Sequence, residues 1–237
     1  MAECGPQLGA NAAMNAIAKW IKARERALLN KYNVAPDSPE NRARAAVYVR
    51  WLDQEILRGI WTNEAEIAPG VWRSNHPTPA RFAALKARGI AHVLNLRGAS
   101  KHAHYLLEEE ICAEQGLSLT SVSLSARRAP QKDQVQRLLQ KFRTLPRPFL
   151  MHCKSGADRA GLASALYMHV IDGQPIEQAR KMLSLRFLHI RQSETGVLDL
   201  MLDKYQATHK AQGIAFEQWL DSAYDADALQ AEFDGKP

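Results

Sequence analysis

Cysteine is scarce in this sequence, which holds Cys4, Cys112 and Cys153 among 237 residues. The three lie far apart and form no Cys-x-x-Cys pair, so the spacing excludes a small protein stapled by disulfides and a cysteine zinc site. The eight histidines show no ligand spacing with a carboxylate, and we therefore predict no metal and no other cofactor. This cysteine usage indicates a reducing compartment.

Long apolar runs are also absent. No stretch reaches the roughly 18 residues that a membrane span needs, and Lys19, Lys22 and Arg24 follow the alanine-rich start rather than precede it, unlike a signal peptide. We therefore expect a cytoplasmic protein. Aromatic residues make up 7% of the chain and form no aromatic-rich strand motif for stacking bases, which argues against a nucleic-acid partner.

Charge is plentiful but unevenly distributed, with a net value of +6. Residues 1–58 hold 9 basic and 6 acidic side chains, residues 59–191 hold 19 and 10, and residues 192–237 hold 3 and 9. A basic middle section attracts anions such as nucleic acid, acidic lipid or a phosphorylated substrate. The remaining composition is ordinary for a globular chain, with 46% apolar residues.

Two helices are predicted in the first 62 residues. Residues 11–30 interleave apolar and basic side chains, which is typical of a basic amphipathic helix. A second helix begins at Pro39, after Ser38 as its N-cap, and runs to about residue 60 with Val47, Trp51 and Ile56 on its buried face. We interpret residues 1–62 as an N-terminal helical extension.

From Ile67 onward, short β-branched runs alternate with capped helices, which is the pattern of an α/β fold. We predict strands at residues 71–73, 90–96, 117–124 and 149–152, and helices at 78–89, 101–115, 133–142, 160–171, 175–185, 193–211 and 215–230. The expected architecture is a central, mainly parallel sheet flanked by helices in a main domain at residues 63–212. A C-terminal helix and acidic tail follow at residues 213–237, and Cys112 is predicted to be a small core residue.

One segment stands apart. Residues 151–161 read Met-His-Cys-Lys-Ser-Gly-Ala-Asp-Arg-Ala-Gly and lie between a predicted strand and a predicted helix. The loop N–H groups and the helix N-terminus converge there and form an anion cradle. A thiol at Cys153 is nucleophilic in that setting, and Arg159 offers a planar fork of donors to two phosphate oxygens. The cradle is expected to contact the substrate through Lys154, Ser155, Gly156, Ala157, Ala160 and Gly161.

These residues match the His-Cys-x5-Arg signature of the protein tyrosine phosphatase superfamily, and the chain resembles its atypical dual-specificity-like members of bacterial type. Two weaker matches agree: residues 72–77 resemble a Tyr-Arg-Ser-x-x-Pro segment, and residues 94–97 an Asn-Leu-Arg strand end. The resemblance implies a metal-free reaction in which Cys153 forms a phosphocysteine, Arg159 binds the phosphoryl group and an acid protonates the leaving oxygen. It implies that His152 tunes the thiolate; an ordinary buried strand histidine is the alternative.

The general acid is where this chain departs from the family. The family's aspartate lies on an upstream loop, and the corresponding residues 121–130 contain no carboxylate. Asp158 resembles the loop acid of bacterial phosphatases that carry Lys-Asp-Arg, and it is our preferred acid; alternatively it holds the loop by accepting backbone N–H bonds. Asp133 is the other candidate, but it lies where a helix N-cap is expected. Ala160 replaces a Ser or Thr that assists thiolate departure, which predicts an accumulating phosphocysteine.

Basic residues near the cradle suggest further anion contacts. Arg127 and Arg128 lie in the loop that faces the cradle in the resembling family, and they are candidates for binding a second phosphate or an acidic head group. The alternative is a solvated basic turn. Candidates for a positive rim around the cradle are Arg73, Arg97, Lys101, His102 and His104, with a brace at the strand end as the alternative for Arg97.

The sequence therefore predicts a phosphomonoester hydrolase that acts on phosphotyrosine, phosphoserine or phosphothreonine proteins or on a phosphorylated lipid. The alternative is a catalytically weak phosphate-binding module that lacks the upstream acid. The basic N-terminal helix is a candidate for peripheral contact with the acidic surface at the inner face of the membrane. The alternative is that this helix packs against the main domain.

Overall fold

A computed structural model describes residues 7–235, with side chains from Lys19 onward, so Cys4 lies outside the described residues. The helices and strands in chain order are α1 (Gln7–Tyr32), α2 (Pro39–Val47), α3 (Glu55–Ile60), β1 (Ala65–Ala68), β2 (Val71–Ser74), α4 (Pro79–Ala87), β3 (His92–Asn95), α5 (Ala103–Glu114), β4 (Ser118–Ser121), α6 (Lys132–Thr144), β5 (Phe149–His152), α7 (Asp158–Leu166), α8 (Ile176–Ala179), α9 (Val197–Gln212), α10 (Phe216–Ser222) and α11 (Ala226–Asp234).

The chain divides into two compact units. One comprises the chain up to Gln54 together with residues 100–108, and the other comprises residues 55–99 and the chain from Glu109 onward. The boundaries after residues 62 and 212 stay predictions. None of the helices in the described part of the chain combines the length and apolar character that a bilayer crossing requires.

The first unit is helical. Ser38 caps α2 as predicted, because its side chain accepts a bond from the Asn41 N–H at 3.2 Å. The prediction of one helix to residue 60 is wrong: α2 passes into a π-helical turn over Tyr48–Leu52 before α3 begins. Val47, Trp51 and Ile56 are exposed rather than buried. The helix ends at this turn, because Gln54 adopts a φ of +64°, and α3 begins as a separate helix at Glu55.

A five-stranded sheet forms the centre of the second unit, in the order β1-β2-β5-β3-β4. β1 pairs antiparallel with β2, and the pairs β2–β5, β5–β3 and β3–β4 are parallel. The mainly parallel sheet flanked by helices is therefore confirmed. The four residues of β5 are all buried, because this central strand is covered by helices on both faces of the sheet.

Apolar side chains pack on both faces of this sheet. One cluster joins β3 and β5 to α6, α7 and α9, and a second cluster includes Phe82, Ile90, Val93, Leu150 and Cys112. The core position predicted for Cys112 is confirmed, since the side chain is buried.

α6 begins differently from the prediction. Gln131 is its N-cap and forms a reciprocal capping box with Gln134. Asp133, predicted as the N-cap, lies inside the first turn and pairs with Arg137 at 2.7 Å on the exposed face. The N-cap prediction for Asp133 is therefore wrong.

Two later helices also differ from the prediction. Residues 175–185 form only the short α8, followed by 3-10 turns over Arg180–Met182 and Leu185–Phe187. The predicted helix at 215–230 is broken between α10 and α11, where Asp225 caps α11 and the Tyr224 ring packs on Trp219. The Tyr224 hydroxyl donates to the carbonyl of Pro130 at 2.7 Å, so a core contact interrupts the local helical preference.

Candidate active site

The signature segment occupies the carboxyl end of the central strand. β5 ends at His152, residues 153–157 form the loop, and α7 begins at Asp158. Ser74 at the end of β2 and Asn95 at the end of β3 both align with His152. Ligands of parallel α/β sheets bind at this edge. The Cys153 thiol lies at the base of the loop and accepts a bond from the Gly156 N–H at 3.3 Å.

Gly156 gives the loop its shape. Its φ of +75° lies in the region that favours glycine. A Cβ built on Gly156 would lie 2.7 Å from the Asn75 nitrogen and 2.9 Å from the Ser74 carbonyl carbon. The loop therefore packs directly on the backbone at the end of β2, and this approach has no room for a side chain.

Asn63 fastens the same loop from outside the signature. Its Nδ2 donates to the carbonyls of Ser155 at 2.8 Å and Phe187 at 2.9 Å. The Trp61 indole N–H donates to Asn63 Oδ1 at 2.7 Å, which orients the amide. Sequence reasoning missed this residue, because a single asparagine between α3 and β1 carries no recognisable signal.

Arg73 lies behind the loop rather than on its rim, so the expectation of a rim contact is wrong. The side chain is completely buried, and its guanidinium donates to the carbonyls of Gly156 and, at 2.9 Å, Met182. The guanidinium also lies 3.8 Å from the centre of the Phe187 ring. Burial lowers the pKa of Arg73 to about 10, against the attraction of Cys153 and Asp158. Arg73 thus stays cationic at neutral pH and holds a positive charge close to Cys153.

His152 is a buried histidine at the end of β5. Its Nδ1 lies 3.3 Å from the carbonyl oxygen of Cys153, a position that suits an Nδ1–H donor. The ring packs edge-on against the ring of His76, with centroids 4.8 Å apart. The His76 backbone N–H donates to the carbonyl of Lys154 at 3.1 Å. Both histidines therefore contact the backbone of the loop.

Asp158 and Arg159 open α7. The Asp158 carboxylate accepts a bond from His189 Nδ1 at 2.8 Å, and His189 Nε2 donates to Asp199 at 2.6 Å. Burial opposes a charge on His189, but the two carboxylates raise its pKa to about 9. The ring is therefore an imidazolium at neutral pH. Arg159 Nε is buried and has no hydrogen-bond partner within residues 19–235.

Comparison with known families identifies the chain. Residues 47–196 match the family described as "DSP-PTPase phosphatase fused to NAD+ Kinase", which is more than half of the sequence. The chain belongs to this DSP-PTPase family. It is accordingly a phosphatase-family protein of the protein tyrosine phosphatase superfamily, among its atypical dual-specificity-like members, as the signature predicted. A comparison with curated proteins finds no match.

Solved structures are similar to this DSP-PTPase chain. A DUF442 protein described as a phosphatase, from Shewanella putrefaciens CN-32, is 18% identical, with 65% of this chain and 94% of that chain covered and a TM-score of 0.50. P. aeruginosa TpbA is 20% identical over 73% and 92% of the two chains, with a TM-score of 0.47. The core catalytic domain of the PP-IP phosphatase SIW14 from S. cerevisiae is 18% identical over 64% and 93%, with a TM-score of 0.47.

Other residues of the signature in this DSP-PTPase chain have structural contacts. The Ala157 N–H donates to Ser155 Oγ at 3.3 Å, within the loop. Ala160 is completely buried. A Cβ on Gly161 would lie 2.7 Å from a Leu183 methyl and 2.9 Å from the Met182 carbonyl oxygen, so Gly161 allows α7 to pack closely on that segment.

Three candidate residues outside the signature lie on the surface of the DSP-PTPase chain. Arg127 and Arg128 are exposed, and Arg127 Nε lies 3.4 Å from a carboxylate oxygen of Glu194. Asp133 is exposed and paired with Arg137. His189 and Asp199, which sequence reasoning missed, lie 31 and 41 residues beyond Asp158 and are joined to it only by the fold.

Proposed function

We propose that this protein is a cysteine-dependent phosphomonoester hydrolase that acts through a phosphocysteine at Cys153. The observation that carries the proposal is a buried thiol in an N–H-lined loop, followed by Arg159 with a buried Nε that has no partner within the described side chains. A buried donor without a partner is unfavourable unless a ligand satisfies it. A phosphate monoester in the loop would accept bonds from both this Nε and the helix N-terminus.

The first chemical step forms the phosphocysteine. The Cys153 thiolate attacks phosphorus, so the S–P bond forms while the bond between phosphorus and the leaving oxygen breaks. Arg159 and the loop N–H groups stabilise the charge on the phosphoryl oxygens. Arg73 holds the loop through Gly156 and keeps a positive charge beside the thiolate.

Asp158 protonates the leaving oxygen in this proposal. It directly precedes Arg159 in α7 and is bonded to a histidine that carries two ring protons, whereas Asp133 pairs with Arg137 on the surface. In the second step Asp158 accepts a proton from the water that attacks phosphorus, and the S–P bond breaks to release phosphate and restore the thiolate.

Activity toward para-nitrophenyl phosphate tests this proposal. We expect Cys153→Ser to reduce turnover to background, while Cys112→Ala, which alters the other buried cysteine, retains it. Acid quenching during turnover should trap phosphate on wild-type protein and none on Cys153→Ser. Activity that survives in Cys153→Ser would refute the mechanism. A wild-type protein that binds tungstate but turns over no phosphomonoester would instead support a phosphate-binding module.

The substrate class follows from charge. The segment that holds the loop carries 19 basic and 10 acidic side chains over residues 59–191, which favours a substrate with more than one anionic group. We propose phosphoproteins or phosphorylated lipids as that class. Parallel assays of phosphotyrosine, phosphoserine and phosphothreonine peptides, phosphoinositides and lipid A-type phosphates, each with Cys153→Ser as blank, distinguish the two. Equal rates across this panel would contradict a dependence on the additional charge.

We further propose that α1 contacts an anionic lipid surface. The helix exposes the large apolar side chains Trp20, Ile21 and Leu28, and the Arg24 guanidinium lies 4.6 Å from the centre of the Trp20 ring. Residues 19–31 contain five Lys or Arg and one Glu. Exposed apolar side chains beside a basic surface are the properties of interfacial helices.

Vesicle sedimentation tests the lipid contact with a matched control. Trp20 and Trp51 are 57% and 59% exposed, but only Trp20 lies on the basic helix. We expect Trp20→Glu to abolish binding to phosphatidylserine-containing vesicles and Trp51→Glu to preserve it. Lys19→Glu with Lys22→Glu should weaken binding by about 10-fold or more, since each basic residue near such a surface contributes about 1 kcal/mol. Lack of binding by the wild-type protein would refute the contact.

A further inference from the structure

Three charged side chains next to the signature loop are connected by hydrogen bonds. Asp158 from α7, His189 from the segment after α8 and Asp199 from α9 are linked by two hydrogen bonds of 2.8 and 2.6 Å. The side chains of His189 and Asp199 are 1% and 8% exposed, whereas that of Asp158 is 20% exposed. Buried charged groups are unfavourable unless they are paired, and here both nitrogens of the imidazole are bonded to carboxylates. The fold therefore holds the three side chains in a specific arrangement.

We propose that His189, held by Asp199, is a positioning residue that orients Asp158 and supplies the proton that Asp158 transfers to the leaving oxygen. The proposal rests on the proposed phosphatase function and deepens it. It accounts for catalysis without a carboxylate in residues 121–130, because Asp158 then receives from His189 the proton that it donates to the leaving oxygen.

The geometry assigns the protons. Each carboxylate oxygen is an acceptor, so both ring nitrogens of His189 must donate, and the ring is an imidazolium. The pKa of about 9, raised by Asp158 and Asp199 against burial, retains that charge through the neutral range. An aspartic acid in water is ionised at that pH, with a pKa of about 3.9. The Asp158–His189 pair therefore carries a proton at a pH where a solvated carboxylic acid has lost its own.

The charged groups around His189 come from three directions. Asp158 faces it from α7 and Asp199 from α9, and Arg73 lies close enough to Asp158 to attract it. A cavity of about 430 Å³ lies on its other side. Besides His189 and Asp199, the charged residues that line this cavity are Glu177, Arg180, Lys181 and Arg191. Arg180 and Arg191 both pair with Asp203, which leaves the two carboxylates on His189 as its direct partners.

The proton balance closes over one turnover. As the bond between phosphorus and the leaving oxygen breaks, the Nδ1 proton of His189 moves to the Asp158 carboxylate, and Asp158 passes a proton to that oxygen and is left ionised. His189 is then neutral and retains its Nε2 proton toward Asp199. When water attacks the phosphocysteine, Asp158 accepts a proton from the water and returns one to Nδ1. The net reaction consumes one phosphomonoester and one water and releases one alcohol and one phosphate.

A series of leaving groups separates proton supply from structural support. We expect His189→Gln to reduce kcat/KM, which covers the steps up to phosphocysteine formation, about 10–100-fold more for phenyl phosphate than for para-nitrophenyl phosphate, because general acid catalysis contributes about 10²–10⁴-fold and matters most for a basic leaving oxygen. Affinity for tungstate should change little. His169→Gln is the matched control, since that half-buried ring bonds the Gln174 carbonyl and the Tyr205 hydroxyl rather than carboxylates. Equal losses on both substrates would refute proton supply.

The pH profile of kcat/KM for phenyl phosphate provides an independent readout. Wild-type activity should fall as the pH rises through about 9, where His189 loses its proton. Asp199→Asn retains the bond between His189 and Asp158 but removes one attracting charge, so the falling limb should move to lower pH. This variant also covers the case in which His189→Gln does not fold. An unmoved limb in Asp199→Asn would overturn the proposal.

Failure of this proposal is distinguishable from failure of the phosphatase mechanism. If acid quenching traps phosphocysteine in the wild type but His189→Gln shows no dependence on the leaving group, only the proton supply is refuted. If Cys153→Ser retains activity, the phosphocysteine mechanism is refuted and the proton supply with it.

Discussion

The buried His189 ion pairs predict a specific dependence of stability on pH. The pKa of His189 rises from its usual 6.5 to about 9 in the folded protein, although burial alone would lower it. A difference of this size corresponds to at most about 3 kcal/mol, at 1.36 kcal/mol per pKa unit. Because the folded pKa is the higher one, this stabilisation is fully present below pH 6.5 and is lost as the pH rises through 9.

Urea unfolding of wild type and His189→Gln between pH 6 and 10 measures this contribution. We expect the difference in unfolding free energy between the two proteins to be largest at pH 6 and to shrink by up to about 3 kcal/mol by pH 10. In thermal unfolding the same change corresponds to roughly 6–12 °C in Tm for a chain of this size. The comparison with the variant removes from the difference the titrating groups that do not interact with His189.

A pH-independent difference between wild type and His189→Gln would refute the ion-pair reasoning, since it would mean that His189 has the same protonation in the folded and unfolded chains. His169→Gln is the control for loss of a half-buried imidazole. Its partners are the Gln174 carbonyl and the Tyr205 hydroxyl, so no charge pair is lost as the pH rises.

Three further substitutions test the loop. Gly156→Ala should destabilise the protein by more than about 2 kcal/mol in thermal unfolding and abolish turnover, because its Cβ would lie 2.7 Å from the Asn75 nitrogen. The control is Gly173→Ala, which has a similar φ of +70° but open space around the Cβ, and thermal unfolding of this variant should show only about 1–2 kcal/mol of strain. Arg73→Met should slow alkylation of Cys153 by iodoacetamide at neutral pH and cost about 2–4 kcal/mol, because two buried carbonyls lose their donor; unchanged alkylation would contradict the electrostatic role. Ala160→Ser should raise turnover and lower the phosphocysteine seen by rapid quenching; equal burst and steady-state rates in both proteins would refute a slow second step.

Local signals account for the parts of the fold that were predictable. The run from Phe149 to His152 is entirely apolar up to its last residue, so it reads as a buried central strand, and the structure has it there. Thr78 and Pro79 begin α4 as predicted, because capping acts over one helical turn. The prediction for residues 175–185 was wrong because the chain there turns back on itself to supply the Met182 and Phe187 carbonyls to Arg73 and Asn63.

The signature loop is readable from the sequence, since Cys153 and Arg159 are six residues apart and the turn between them, with the strand end before it and the helix start after it, follows from local preferences. The residues that surround this loop depend on tertiary packing. Asn63 reaches Phe187 across 124 residues, Arg73 reaches Met182 across 109, and His189 joins Asp158 to Asp199. Such contacts depend on which strands pair and how helices pack. A periodicity or capping signal covers only a few turns of chain, and it carries no information about a partner one hundred residues away.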